Sequence, residues 1–173
     1  IELDGVYRAA RVFVNGFLVG EEPSGYLGAS YDVSEYLDYG GDNVVAVRVD
    51  ASMEEGWYYE GAGIYRHVWL LKTAPLHVAR HGVWVRTALD GDDATLLVET
   101  SVDNEGQEGA DYLLEQTVVT EEGQTLATAE PAASKVDAGA ARVLHATLRV
   151  SAPRLWSLET PVLHTLVTVL RRS

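Results

Sequence analysis

GWYYEGAGIYRHVWLL, residues 56–71, places three consecutive aromatic side chains before a small-residue elbow and an apolar run after it. Aromatic rings stack on the apolar face of a pyranose, acidic and amide groups bind its hydroxyls, and glycine lets backbone approach closely. The stretch therefore predicts a sugar-facing loop. The alternative interpretation is an ordinary strand that enters a core behind a glycine turn.

Composition excludes several classes of function. The 173 residues carry a net charge of −13, so phosphate-rich partners are repelled and no nucleic acid is expected as a ligand. The absence of cysteine removes disulfides and thiol nucleophiles. No apolar run approaches the ~20 residues that span a bilayer, so no membrane partner is predicted. His77 and His81 would share one face of a strand, but a metal site needs further ligands, and we predict neither metal nor cofactor.

Aromatic residues divide the chain unevenly. Residues 1–74 contain 12 of the 15 aromatics, whereas residues 75–173 contain only Trp84, Tyr112 and Trp156. Pro75 lies between two apolar runs and is a natural joint. We therefore predict two domains, residues 1–74 and 75–173.

The first domain is predicted to be all-β. Its strands are expected at residues 10–14, 17–21, 26–31, 43–50 and 67–72. Asn15-Gly16 is the strongest short hairpin signal, because a type I′ turn needs positive φ at both residues. Residues 32–37 fit one helical turn that Asp32 or Ser34 caps, and the alternation in 43–50 indicates a buried strand. A jelly roll has about eight strands, so we expect the missing ones upstream of Ile1.

The second domain shows a more regular pattern of short strands between turn signals. The predicted strands are residues 83–89, 94–102, 112–120, 124–129, 143–150 and 163–170. This spacing predicts an immunoglobulin-like β-sandwich without the disulfide. One face should carry Leu96, Val98, Thr100 and Val102, and another Leu144, Ala146, Leu148 and Val150. A helix over residues 138–148 is the alternative, but strict alternation and β-branched residues favour a strand.

Catalytic signatures are missing from the sequence. Glycoside hydrolysis needs two carboxyl groups about 5 to 10 Å apart. The acidic doublets Glu21-Glu22, Glu54-Glu55 and Glu121-Glu122 are poor pairs, since neighbours on a strand point to opposite faces. No nucleophile elbow, phosphate loop or dinucleotide fingerprint is present either. We therefore predict no catalytic centre within these residues.

The ordered motifs resemble a known family. GVYRAARVFVNGFLVG (5–20), YDVSEYL (31–37), GDNVVAVRVD (41–50) and GWYYEGAGIYRHVWL (56–70) resemble the sugar-binding jelly-roll domain of glycoside hydrolase family 2, the β-galactosidases, β-glucuronidases and β-mannosidases. RLWSLETPVLHTLVTVL (154–170) is similar to the end of that family's first immunoglobulin-like domain. The resemblance implies a partial jelly-roll β-sandwich followed by an immunoglobulin-like β-sandwich, with the catalytic glutamates on a (β/α)8 barrel that this chain lacks.

The resemblance also implies where a sugar would bind. Family members place a sugar-binding acid six positions before the glycine of a Gly-Ile-aromatic-Arg segment, and here that position is Trp57. We predict that Glu60 substitutes for it and that Trp57, Tyr58 and Tyr59 stack on the sugar. Arg66 is expected to tie the segment through carboxylate or carbonyl bonds. Trp84 and Trp156 are expected in a core or between domains.

These expectations define a functional hypothesis. The chain would be a non-catalytic fragment of a retaining exo-glycosidase resembling β-galactosidase, which shapes the pocket for a terminal β-linked sugar, a galactoside, and packs against the barrel. The alternative is an autonomous carbohydrate-binding or structural β-sandwich module without hydrolase activity. Open strand edges in residues 1–74 would favour self-association, so a homo-oligomer is also expected.

Overall fold

The computed structural model describes residues 1–52 and 61–173. The chain divides into two compact units, Ile1–Lys72 and Thr73–Ser173. Within the described residues, all regular structure is β except for one 3₁₀ turn at Ser34–Tyr36. The predicted fold class, two successive β-sandwich domains, is confirmed.

Short antiparallel strands build the first unit. They are β1 (Glu2–Leu3), β2 (Val6–Tyr7), β3 (Ala10–Val14), β4 (Phe17–Glu22), β5 (Ala29–Ser30), β6 (Val45–Arg48), β7 (Gly63–Ile64) and β8 (Val68–Trp69). They form two three-stranded sheets, β5-β1-β8 and β4-β3-β6, and the pair β2-β7. The five predicted strands are present, with β5 and β8 shortened to two residues. Strands β1, β2 and β7 were not predicted, because two residues cannot show an alternation.

The hairpin between β3 and β4 turns at Asn15-Gly16, as predicted. Both residues have positive φ, 49° and 88°, and Val14 pairs with Phe17 across the turn. The Asn15 side chain also reaches beyond the hairpin, because its Nδ2 donates to the Tyr36 carbonyl at 2.8 Å and its Oδ1 accepts from the Val44 amide at 2.9 Å. One asparagine therefore joins the hairpin to the segment around the 3₁₀ turn.

The 3₁₀ turn and β6 test two further predictions. Asp32 Oδ1 accepts a hydrogen bond from the Ser34 amide at 2.9 Å, but the N-cap residue of the turn is Val33 and no side chain caps it, so the expected cap by Asp32 or Ser34 is wrong. This bond lowers the pKa of Asp32. The prediction of a buried strand at 43–50 is wrong, since Val44 and Val45 are 66% and 46% exposed. Strand β6 lies at a sheet edge, and β3 is its only pairing partner among the described residues.

Seven longer strands build the second unit as a two-sheet sandwich. They are β9 (Leu76–Asp90), β10 (Asp93–Asn104), β11 (Ala110–Val119), β12 (Thr125–Thr128), β13 (Ala132–Val136), β14 (Ala140–Val150) and β15 (Thr165–Arg172). One sheet has the order β14-β10-β9. In the other, β15 pairs with one edge of β11, and β12 and β13 pair with successive parts of the opposite edge.

The core of this sandwich has a polar middle. The predicted inward faces of β10 and β14 are confirmed, with Val98, Val102 and Leu148 at 2% exposure or less. Two apolar clusters fill the interior, one around Val98 and Val118 and the other around Val102 and Tyr112. Thr100 and Gln116, 1% and 3% exposed, are buried beside them, and Gln116 Nε2 donates to Thr100 Oγ1 at 2.8 Å. This bond pairs one buried polar group from each of the two facing sheets.

A large bulge interrupts β9. Thr100 pairs with Val83 and Val102 pairs with Val78, so residues 79–82 oppose Ser101 alone. A Cβ added to Gly82 would lie 2.8 Å from the Ala79 carbonyl oxygen, and the bulge therefore requires glycine there. His81 has a positive φ of 51°. His77 and His81 would share a face only if side chains alternated regularly between them, and the bulge breaks that alternation.

Three expectations for the second unit need correction or completion. Residues 140–150 form strand β14, so the alternative of a helix over 138–148 is wrong. Strand β13 was not predicted, because Ala132-Ala133-Ser134 lacks the β-branched and aromatic residues that mark strands. Trp84 and Trp156 are 51% and 56% exposed, so neither is a core residue of its unit.

Candidate functional site

The predicted sugar-facing segment is attached at both ends to β2 and the residue that follows it. Before the segment, the Asp50 amide donates to the Arg8 carbonyl at 3.0 Å. After it, Gly63 in β7 pairs with Tyr7 in β2. The attachments on either side of residues 51–62 therefore lie at the neighbouring residues Tyr7 and Arg8. This arrangement defines the base of the candidate site.

A carboxylate and a glycine fix the two attachments. Asp50 Oδ1 accepts from the Ser52 hydroxyl at 2.5 Å and from the Ser52 amide at 3.2 Å, and these bonds lower the pKa of Asp50. Gly63 has φ of +122°, a conformation that residues with a Cβ rarely adopt. The glycine elbow predicted at residues 61–63 thus has a conformational reason at its last position.

The four residues predicted to contact sugar are Glu60, Trp57, Tyr58 and Tyr59. All four lie outside the described residues, as do Glu54 and Glu55. Their roles stay predictions. The described residues on either side show how their segment is attached.

Tyrosines surround the base of the site. The Tyr65 hydroxyl donates to the Gly25 carbonyl at 2.7 Å, and its ring lies so close to Gly5 that an added Cβ would be 2.7 Å from Cζ. Tyr7 and Tyr26 form an edge-to-face pair with centroids 5.7 Å apart. These three tyrosines were not predicted as part of the site. The glycines that face the rings were the available signal, because they show where an aromatic side chain packs directly on backbone.

Asp4 joins the far end of the stretch to β1. Its Oδ2 accepts from Trp69 Nε1 at 3.0 Å and lies 3.6 Å from His67 Nδ1, while the His67 and Trp69 rings stack at 5.2 Å. For Arg66, the expected carboxylate bonds stay a prediction, because Glu54, Glu55 and Glu60 lie outside the described residues. The Arg66 Cζ lies 6.0 Å from the Tyr65 ring centroid, and the described residues provide it with no carboxylate or carbonyl partner.

The Glu21-Glu22 doublet is engaged in structural contacts and not in a general acid and base pair. Glu21 pairs with Arg11 at 2.9 Å, and Glu22 accepts from the Ser24 amide at 2.8 Å, so this doublet is divided between two structural roles. In residues 1–52 and 61–173, every carboxyl group with a resolved pKa shift is shifted downward, namely Asp32, Asp50 and Glu122. A general acid needs the opposite shift.

Neither a metal-ligand cluster nor a membrane-spanning helix occurs in the described part of the chain. No group of three or more His, Asp or Glu side chains in the described ranges is placed to hold a metal ion. None of their helices has the length and apolarity that crossing a membrane requires.

Family models match both units. The model of the sugar binding domain of glycosyl hydrolases family 2 matches residues 1–74, and the model of glycosyl hydrolases family 2 matches residues 76–173. Together with the two successive β-sandwich folds, these matches define the class of protein. The chain belongs to glycosyl hydrolases family 2.

Individual relatives agree with this assignment. All of the chain aligns with the β-galactosidase BoGH2A of Bacteroides ovatus at 39% identity, over 20% of that protein, and with a β-galactosidase of Priestia megaterium at 28% identity, over 17%. A solved family 2 member from Bacteroides cellulosilyticus matches 98% of the chain with a TM-score of 0.93 and 31% identity, over 23% of that structure. The chain thus spans about a fifth of the length of these relatives.

Proposed function

We propose that this chain forms one wall of the substrate pocket of a retaining exo-glycosidase that acts on β-galactosides. The observation that supports the proposal is the double attachment of residues 51–62 at Tyr7 and Arg8, within the residues that match the sugar-binding model. A segment held at both ends on a sheet can present aromatic and acidic side chains while the scaffold keeps its shape. The two relatives named as β-galactosidases support a galactoside as substrate.

The chemistry would be divided between this chain and the rest of the enzyme. Retaining glycosidases use two carboxyl groups about 5–5.5 Å apart, one as nucleophile and one as acid and base. We assign both to a (β/α)8 barrel that packs against this chain in the whole enzyme. Trp57, Tyr58 and Tyr59 would stack on the terminal sugar, and Glu60 would accept hydrogen bonds from its hydroxyls.

A hydrolysis assay tests the division of labour. The 173-residue chain, incubated at high concentration with nitrophenyl β-galactoside, should release no nitrophenol above the uncatalysed rate, because it would lack both catalytic carboxyl groups. A family 2 β-galactosidase assayed in the same buffer is the positive control. Turnover that copurifies with the chain and disappears in one of its carboxylate variants would contradict the proposal.

A galactose titration tests the pocket wall and separates it from the alternative, an autonomous binding module. Half of a pocket should bind galactose only at millimolar concentrations, with amide shifts at Asp50–Ser52 and Gly61–Tyr65. Glu60→Gln and Trp57→Ala should remove these shifts, whereas Glu21→Gln, in β4, should keep them. Micromolar affinity would favour the autonomous module. Amide shifts that persist in both Glu60→Gln and Trp57→Ala would show that these residues do not bind the sugar.

A further inference from the structure

The second unit has an exposed surface to which the proposed function assigns no role. It comprises the outer face of the sheet β14-β10-β9 and a cleft beside β14. We propose that this surface, from Trp84 to the cleft, binds a neutral β-linked oligosaccharide. The choice of a β-linked ligand rests on the proposed function, but the site lies in the other unit.

An exposed indole begins the surface. Trp84 is 51% exposed on the edge strand β9, and the Arg86 guanidinium carbon lies 4.9 Å from its ring centroid. The arginine, two residues along on the same face, restricts the ring from one side. A half-exposed and positioned indole is a suitable platform for the apolar face of a pyranose, since little side-chain entropy remains to be lost on binding.

Polar side chains continue the surface across the sheet. Trp84 pairs directly with Glu99 in β10, and Glu99 pairs with His145 in β14. The Glu99 carboxylate and the His145 Nδ1 are 4.0 Å apart. Three residues in one row across three strands cover about 10 Å, from two interstrand spacings. Carboxylate and imidazole groups bind sugar hydroxyls as acceptor and donor, so the row can bind the polar rim of a chain that stacks on Trp84.

The row ends at a cavity. His145 lines a cleft of about 270 Å³ between β14 and the break that separates β12 from β13. Leu114, Leu144 and Ala146 supply apolar lining, and Gln116 and Glu130 also line the cleft. This volume is just below the common range of ligand pockets, about 300–1,000 Å³. The cleft can therefore take one ring or a substituent at the end of a bound oligosaccharide.

Charge favours a neutral ligand. The surface holds Arg86 with Glu99 and Glu130, and His145 is charged only when protonated, so there is no excess of positive charge to attract an anionic sugar. The whole chain has a net charge of −13, which repels polyanionic sugars. An uncharged oligosaccharide avoids that repulsion and uses the same stacking and hydrogen-bonding groups.

An NMR titration of the isotopically labelled chain with β-1,4-linked galactotetraose tests the proposal. We expect saturable amide shifts at residues 84–86, 97–99 and 144–147. Trp84→Ala should weaken binding about tenfold or more, because the stacking platform is lost, and Trp84→Phe should restore part of the affinity. Trp156→Ala, which removes another half-exposed tryptophan of the same unit, should leave the dissociation constant unchanged.

Four results of the titration would overturn the proposal or part of it. The absence of saturable shifts at these residues, or binding that is equal in Trp84→Ala, would overturn the proposal. Shifts confined to residues near Tyr7 and Gly63 would support the pocket wall in the first unit and overturn the second site. Equal binding of an oligogalacturonide of the same length would overturn the preference for a neutral ligand.

Discussion

Asn15 shows how much one side chain can hold together. Its positive φ of 49° suits the hairpin turn, and its amide bonds the Tyr36 carbonyl, the Val44 amide and the Asn43 side chain. The Asn-Gly dipeptide predicts the turn from sequence, because both residues tolerate that conformation. The three partners lie 21 to 29 residues away, and local patterns do not encode them.

A glycine pair in the candidate site gives a matched test at the residue scale. Gly63→Ala should destabilise the first unit by about 1–3 kcal/mol, because a Cβ is strained at φ of +122°. Gly61→Ala is the control, since Gly61 has no such φ and an added Cβ meets no described atom within 4 Å. Urea unfolding monitored at first-unit amides measures both. Equal stabilities of the two variants would show that the elbow does not depend on the conformation of Gly63.

Between elements, the sandwich of the second unit depends on the bond between Gln116 in β11 and Thr100 in β10. Gln116→Leu should destabilise this unit by about 1–3 kcal/mol, because Thr100 Oγ1 loses its donor in a buried site. Adding Thr100→Val should recover much of that loss, since the unsatisfied hydroxyl is removed as well. Denaturant unfolding of the wild type, both single variants and the double variant gives the coupling free energy. Additive effects would mean that the bond contributes nothing of its own.

Sequence patterns predict some elements well and others poorly, for identifiable reasons. Inward-facing residues recur at every second position over 96–102 and 144–150, so the inward faces of β10 and β14 are predictable, whereas the strands extend one to three residues beyond the predicted bounds. β13 lacks strand-forming residues and is held by its pairing with β11, which only the tertiary structure reveals. The pattern of 43–50 indicates a strand but not its exposure, because alternation indicates two faces and does not show what covers either.

For the candidate site, the sequence predicts a location but not how the segment is attached. The Gly-rich elbow and the aromatic run are local signals, and they are sufficient to single out residues 56–71. The attachment of Asp50 to Arg8, and the packing of Tyr65 on Gly5, join residues about 40 to 60 positions apart. For Trp84, the 51% exposure excludes the core of its unit, whereas the other expected location, between domains, stays a prediction.

For the whole molecule, the two units should differ in stability. β10 is paired along its length on both sides, whereas five of the eight strands described in the first unit have two residues each. Hydrogen exchange should therefore be slower in β10 and β11 than in the first unit, by on the order of 100-fold.

Exposed Phe17, Leu18 and Val45 should also make the chain associate at higher concentration, as sedimentation would detect. A strictly monomeric chain with a fully protected first unit would contradict both expectations.

The shared base at Tyr7 and Arg8 also has an evolutionary consequence. Both ends of residues 51–62 meet the scaffold at one point, so insertions or deletions between them change loop-closure entropy only slowly and leave the strand register of β2 and β7 untouched. On the proposed function, exchange of residues 51–62 alone would change the substrate preference of the enzyme. A chimera in which the corresponding segment of a β-glucuronidase replaces residues 51–62 should bind a glucuronide. Strands β2 and β7 should keep their pairing in this chimera.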